Sequence, residues 1–313
     1  MKILVVGAGA TGGYFGTMLA RSGQDVTFLV RPARAAALRE RGLRVVGRDE
    51  EWRVDPGLVT ADELAAAPVP YDLVLLSVKA TGLARAAEDL APAVGPDTVI
   101  VPQLNGLAHL EALNERFGAD RVLAAVTKVV TTLDETTGDI LRLAPLAQLI
   151  LGEQDGGSAT PRVEAVRAVL AGAGIDARVP ENAVTAMWHK WVFITTIGAL
   201  TSLMRGTVGE INAVPGGTEL ATALLDEASA VAAAAGHPVP EGERKTTLDV
   251  VTAAGSPMVP SLYRDLVSGA PTEVEHLFGD LVARARRLGV PTPLMDLATL
   301  HLRVHQARVA TSR

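Results

Sequence analysis

Short runs of branched apolar residues alternate with longer amphipathic stretches through the first half of the chain. Lys2–Val6, Asp25–Val30, Asp72–Val78 and Thr98–Val101 are brief, rich in β-branched residues and bounded by Gly, Pro or Asp, the pattern of strands buried on both faces. Between them Gly12–Ser22, Pro32–Arg41, Thr81–Leu90 and Leu107–Phe117 carry helical periodicity. Such alternation predicts a doubly wound parallel sheet with right-handed crossovers. Val122–Val126, Ile140–Leu143 and Gln148–Leu151 read as further strands, the last two as an antiparallel pair. The helix Pro161–Leu170 and a strand near Ala177–Val179 complete this half.

After Pro180 the period changes. Asn182–Met204, Val208–Ala213, Gly217–Ala235, Arg244–Ala253, Val259–Val267, Thr272–Leu288 and Leu294–Ala310 all repeat helically, and no strand pattern remains. The expected division is an α/β domain over 1–180 and an all-α domain over 181–313.

Composition narrows the function classes. Apolar residues make up 48% of the 313 and charged residues 20%, which excludes wholesale disorder. A net charge of −6 repels phosphate backbones and argues against a nucleic-acid partner. With no cysteine, disulfides, iron–sulfur clusters and thiol nucleophiles are excluded together. The longest apolar run, Trp191 to Met204, is shorter than the roughly 20 residues of a bilayer span and is interrupted by Thr195, Thr196, Thr201 and Ser202. Ile3–Val6 is too short for a secretory core, so the expectation is a cytoplasmic protein without a membrane partner.

The first strand runs into Gly7-Ala8-Gly9-Ala10-Thr11-Gly12, a complete G-x-G-x-x-G between a strand and a helix. Gly7 permits the tight turn, Gly9 lets the backbone approach a pyrophosphate, and Gly12 lets the helix pack closely on the strand. The helix N-terminus then offers free N–H groups to the phosphates. Gly13 and Gly16 extend the small-residue face. The second strand ends at Arg31 with Arg34 one turn further, and its only carboxylate, Asp25, sits at the opposite end. Without an acidic residue for the ribose hydroxyls, and with a guanidinium able to pair with a 2′-phosphate, the cofactor reading is NADP(H). Arg31 could alternatively cap an exposed strand end. Lys79 and Asn105 follow the third and fourth strands and should reach the same sheet edge as the glycines, either at the cofactor or as caps of the next helices.

Lys190 stands in an apolar helix beside Met187, Trp188, Trp191, Val192, Phe193 and Ile194. A charge there is costly unless it is paired, functional or snorkelling into water. Lysine is scarce in this chain, five residues against 24 arginines, and unlike arginine it can release its proton. Glu273 reads either as a site carboxylate or as an ordinary first-turn acid behind a Thr272 cap. His301 and His305 lack a third ligand nearby, so no metal is expected.

The chain resembles the ketopantoate reductase (2-dehydropantoate 2-reductase) family. The resemblance is carried by GAGATGGYFG, Ser77-Val78-Lys79, Asn105-Gly106, Trp188-His189-Lys190 and Leu200-Thr201-Ser202-Leu203 leading to Gly209-Glu210. Ser261 with Asp265, Pro271-Thr272-Glu273 and Gly289-Val290-Pro291-Thr292-Pro293 extend it over essentially the whole chain. It implies a Rossmann-type NADP-binding domain followed by a helical substrate domain, with NADPH between them reducing ketopantoate to pantoate, as in pantothenate biosynthesis. By position it implies Lys190 as the catalytic lysine, with Glu273 and Ser261 holding the substrate's hydroxyl and carboxylate. Asn105 would touch both cofactor and substrate, and Lys79 the cofactor. Many members carry asparagines four and eight residues after the lysine, where this chain has Ile194 and Gly198. That departure keeps two alternatives open: a related reductase or dehydrogenase acting on a different 2-oxo or 2-hydroxy acid, and a non-catalytic NADP(H)-sensing protein. A homodimer through the apolar faces of the C-terminal helices is a further expectation.

Overall fold

The computed structural model describes residues 1–157 and 159–311; the last two residues of the expected helical domain lie outside that range. Two compact units divide between Met187 and Trp188, inside a single long helix. The first unit contains β1 (Lys2–Val6), α1 (Ala10–Arg21), β2 (Asp25–Leu29), α2 (Pro32–Arg41), β3 (Leu43–Val46), β4 (Glu51–Val54), β5 (Gly57–Val59), α3 (Ala61–Ala66) and β6 (Leu73–Leu76). It continues with α4 (Leu83–Leu90), β7 (Val99–Pro102), α5 (Ala108–Phe117), β8 (Ala124–Leu133), β9 (Ile140–Gly152), α6 (Pro161–Gly172) and β10 (Asp176–Arg178).

The expected parallel sheet is present, in the order β5-β2-β1-β6-β7 with every neighbouring pair parallel. The chain winds outward from β1 through β2 to β5, then returns to the other side of β1 as β6 and β7. The carboxyl ends of β1 and β6 therefore flank the switch point where such sheets bind ligands. A second sheet differs from expectation. Ile140–Leu143 and Gln148–Leu151 are not an antiparallel pair but parts of one strand, β9, which pairs antiparallel with β8. Pro145 misled the pattern, because proline cannot donate to a ladder; here it falls where the register jumps from Val129↔Ala147 to Thr131↔Arg142, outside the paired rungs. On its other edge β9 pairs parallel with β3 near Ile140 and with β10 near Leu149, and β3 pairs antiparallel with β4.

Helix α1 is the element both sheets share. Tyr14, Phe15 and Leu19 are buried in one cluster with Ile3, Val5 and Phe28 of the parallel sheet and Val45, Ile140 and Leu149 of the second. Its glycines explain the tight fit. A Cβ on Gly16 would overlap the Phe28 ring, and one on Gly13 would overlap Ile140 Cδ1. A Cβ on Gly12 would collide with the Gly7 carbonyl and lie 2.6 Å from Ser77 Cβ.

The second unit takes up α7 (Ala183–Met204), followed by α8 (Val208–Asn212), α9 (Gly217–Ala234), α10 (Glu241–Val251), α11 (Ser261–Val267), α12 (Asp280–Arg287) and α13 (Pro293–Thr311). Among the described residues it contains no strand. The helix expected over Thr272–Leu288 is present over 274–287 and contains a π-helical turn at Glu275–Gly279 that leads directly into α12. Trp191, fully buried on α7, donates its indole N–H to the Leu277 carbonyl in that turn at 3.1 Å. Arg303 of α13 grips Glu275 through two bonds of 2.7 Å. The Glu227 carboxylate caps α13, accepting from Leu294 and Met295 N–H at 2.9 Å each.

Two expectations follow. Gly12→Val should lower Tm by several degrees through overlap with Gly7 and Ser77, whereas Gly9→Val should leave Tm nearly unchanged, since a Cβ there meets nothing within 4 Å; thermal unfolding with equal losses for both would contradict this packing. Burial and neighbouring His189 hold His237 below its ordinary 6.5, and burial with Arg205, His305 and Arg308 does the same to His301. As pH falls through that ordinary value, the unfolded chain binds protons that the fold refuses, so stability should fall. Tm measured from pH 7.5 to about 5.5 should decline, and a His237→Gln/His301→Gln double variant should decline less.

Candidate active site

The site is built first from the carboxyl edge of the parallel sheet. Registers Val6↔Leu29, Val6↔Leu76 and Leu76↔Pro102 bring four strand ends level. The ladder continues one step beyond them: Gly7 N–H donates to the Leu29 carbonyl at 3.0 Å, Ser77 N–H to Val6 at 2.9 Å and Gln103 N–H to Leu76 at 2.8 Å. The glycine loop, Arg31, Lys79 and Asn105 therefore leave the sheet at one edge, as the sequence predicts. Ser77 hydroxyl donates to Gln103 Oε1, which ties the β6 and β7 ends together.

The loop has the form a pyrophosphate requires. Gly7 turns at φ +97°, which a side chain would strain, and its Cβ would also meet the Ser77 carbonyl at 2.6 Å. Gly9 is the N-cap of α1, and no side chain caps that terminus. Its missing Cβ opens onto free space, next to first-turn N–H groups that attract anions. These residues fit a dinucleotide.

Two residues absent from the expected site hold this loop. Half-buried Arg34 donates through Nη2 to the Ala8 carbonyl at 3.2 Å and to Gly138 at 3.1 Å. Thr131 Oγ1 donates to the Ala10 carbonyl at 3.0 Å. Burial and neighbouring Arg41 hold the Arg34 guanidinium below its ordinary range, with Asp139 pulling the other way. The sequence signal for Arg34 is its charge one turn beyond Arg31, and Thr131 carries none; the contacts to Ala8 and Ala10 span 26 and 121 residues.

Arg31 is exposed and begins α2 in extended backbone conformation. Lys79 is exposed and starts a short 3₁₀ turn without capping it by its side chain. Asn105 is half-buried, and the N-cap of α5 is Leu107, without a side-chain cap bond.

The second unit carries the other candidates. Lys190 is half-buried on α7. The adjacent His189 is engaged elsewhere, with Nε2 3.1 Å from the Pro238 carbonyl and Nδ1 2.9 Å from Glu243. Ser261 is exposed at the first position of α11, and the next residue, Leu262, packs against α7 at Gly198. Glu273 is half-buried just before the π turn, which Trp191 fastens to α7. Thr272 does not cap a helix; its N–H donates to Gln306 Oε1 at 2.9 Å, and His305 Nε2 lies 2.9 Å from the Ala270 carbonyl. Helix α13 thus fixes the segment that presents Glu273. Among the described residues no group of three or more potential ligands could hold a metal, and no helix is long and apolar enough to cross a membrane.

Comparison with known proteins identifies the family. The profile described as "Ketopantoate reductase PanE/ApbA" matches residues 3–156, and its C-terminal counterpart matches residues 182–306. The "Uncharacterized oxidoreductase YkpB" of Bacillus subtilis is 31% identical over 98% of this chain and 99% of its own length. A 2-dehydropantoate 2-reductase of Halobacterium salinarum is 31% identical over 94% of this chain and 95% of its own. The crystal structure of 2-dehydropantoate 2-reductase from Geobacter metallireducens superposes with a TM-score of 0.87 at 30% identity, covering 97% of this chain and 99% of that one. The chain belongs to the ketopantoate reductase PanE/ApbA family of oxidoreductases.

Proposed function

We propose that the protein reduces a 2-oxo acid to the 2-hydroxy acid with NADPH. The observation that carries this reading is Lys190, an ammonium half-buried on an otherwise apolar helix in a family of reductases. Gly7, Ala8, Gly9, Ala10, Thr11 and Gly12 would hold the pyrophosphate, Arg31 the 2′-phosphate, and Lys79 and Asn105 the part of the cofactor nearest the switch point. Bound NADPH supplies the hydride that reduces the substrate's carbonyl carbon. Lys190 Nζ donates a proton to the carbonyl oxygen as negative charge develops there. Ser261 Oγ donates to the substrate carboxylate, Asn105 contributes to the same recognition, and the Glu273 carboxylate accepts from the hydroxyl formed at the reacting carbon. Ketopantoate is the substrate that the family resemblance brings first; Ile194 and Gly198 bear on that choice.

Lys190→Ala should reduce kcat by about 10²–10⁴-fold, the usual worth of a positioned proton donor, with little change in NADPH affinity. Steady-state kinetics together with fluorescence titration of NADPH would check this, and loss of cofactor binding would contradict the role. Arg31→Ala should weaken NADPH binding about 10- to 100-fold, as for a charged hydrogen bond, and leave NADH binding nearly unchanged. An equal loss for both nucleotides would refute recognition of the 2′-phosphate and favour NADH.

A further inference from the structure

Residues four apart lie on one face of a helix, so the face carrying Lys190 continues through Ile194 and Gly198. Three threonine hydroxyls on this helix are turned to its own backbone. Thr195 donates to the Trp191 carbonyl at 2.8 Å, Thr196 to Val192 at 2.8 Å and Thr201 to Ile197 at 2.7 Å, and all three residues are buried. Ile194, half-buried, offers only hydrocarbon. At Gly198 the place of a side chain is already filled: Leu262 Cδ2 and Phe278 Cζ each lie 3.2 Å from where its Cβ would stand. An amide at 198 would have to displace both. The omission of a side chain there therefore does not open space on this face; Leu262 and Phe278 close onto the bare backbone.

A substrate hydroxyl pressed against this wall loses its bonds to water without replacement, while hydrocarbon is favoured there. We infer that the 2-oxo acid taken by this protein carries a hydrocarbon substituent beside the ketone, lacking the terminal hydroxyl of ketopantoate. The inference rests on the reductase reading above and names its substrate class: branched-chain or other apolar 2-oxo acids. Ile194 is then the specificity-determining residue.

Trimethylpyruvate and its hydroxylated derivative ketopantoate test this directly, since they differ by one hydroxyl. Initial rates with NADPH should give a kcat/KM for trimethylpyruvate about 10- to 100-fold above that for ketopantoate, the range over which an apolar pocket can reject an added hydroxyl. Ile194→Asn should narrow that ratio several-fold, with its fold checked by thermal unfolding; if the variant does not fold, the ratio in the unaltered protein decides alone. Equal or better use of ketopantoate by the unaltered protein overturns the inference and leaves the reductase reading standing. Turnover of neither acid, nor of any other 2-oxo acid with NADPH or NADH, overturns the reductase reading and the inference with it.

Discussion

The closeness of α1 to the sheets on either side of it governs the nucleotide half of this protein. Gly12, Gly13 and Gly16 lie where the Gly7 carbonyl with Ser77, Ile140 and Phe28, respectively, leave no room for a Cβ. Because interiors are packed as densely as organic crystals, one added methyl there must move backbone or a ring. The same closeness sets the loop before the helix: Gly7 turns left-handed beneath Ser77, and the free N-terminus of α1 is delivered to the switch point. Arg34 and Thr131 then hold the Ala8 and Ala10 carbonyls. Packing and phosphate recognition are separable only at Gly9, whose absent side chain faces open space rather than protein.

What the sequence made legible follows from where burial is continuous. β1, β2, β6 and β7 are buried strands of a parallel sheet, so they read as apolar runs, and parallel topology then placed Arg31, Lys79 and Asn105 at one edge. β3, β4 and β5 were not recognised. They are three or four residues long, and β4 alternates exposed and half-buried positions with charged Glu51 and Arg53 on it. Their stability is relational: Arg44 pairs with Glu51 at 2.8 Å and with buried Asp139 at 3.0 Å, and Trp52 stacks on Tyr14 with ring centres 5.9 Å apart. No local pattern encodes contacts of that kind. The π turn was hidden for the same reason, since the residues around Leu277 have helical periodicity and the bond from Trp191 spans 86 positions.

The helical half is organised around what α7 cannot do with its polar side chains. Thr195, Thr196 and Thr201 are buried, and their hydroxyls return to backbone carbonyls one turn earlier. Such bonds satisfy buried oxygens locally and leave the helix surface apolar. The neighbouring segments are therefore fastened by other means, with the Trp191 indole at one point and direct packing of Leu262 and Phe278 on the bare backbone of Gly198 at another. α13 completes the frame through Gln306, His305 and Arg303.

Against that background, the choice of lysine at 190 has chemical content. Arginine supplies many of the ion pairs elsewhere in the chain, although exposed Lys245 also pairs with Asp249 at 2.7 Å. Arg162 clamps Glu153, Arg284 pairs with Asp280 at 3.0 Å with both largely buried, and Arg303 takes Glu275 in a fork. Arginine suits those places because its planar group binds carboxylates at two points and stays charged. A structural cation on α7 could have been arginine on the same terms. Lysine gives up the fork but, unlike arginine, carries a proton it can release, which serves where charge develops on a reacting atom. On the proposed function, lysine stands at 190 for that proton rather than for the two-point grip that arginine would give.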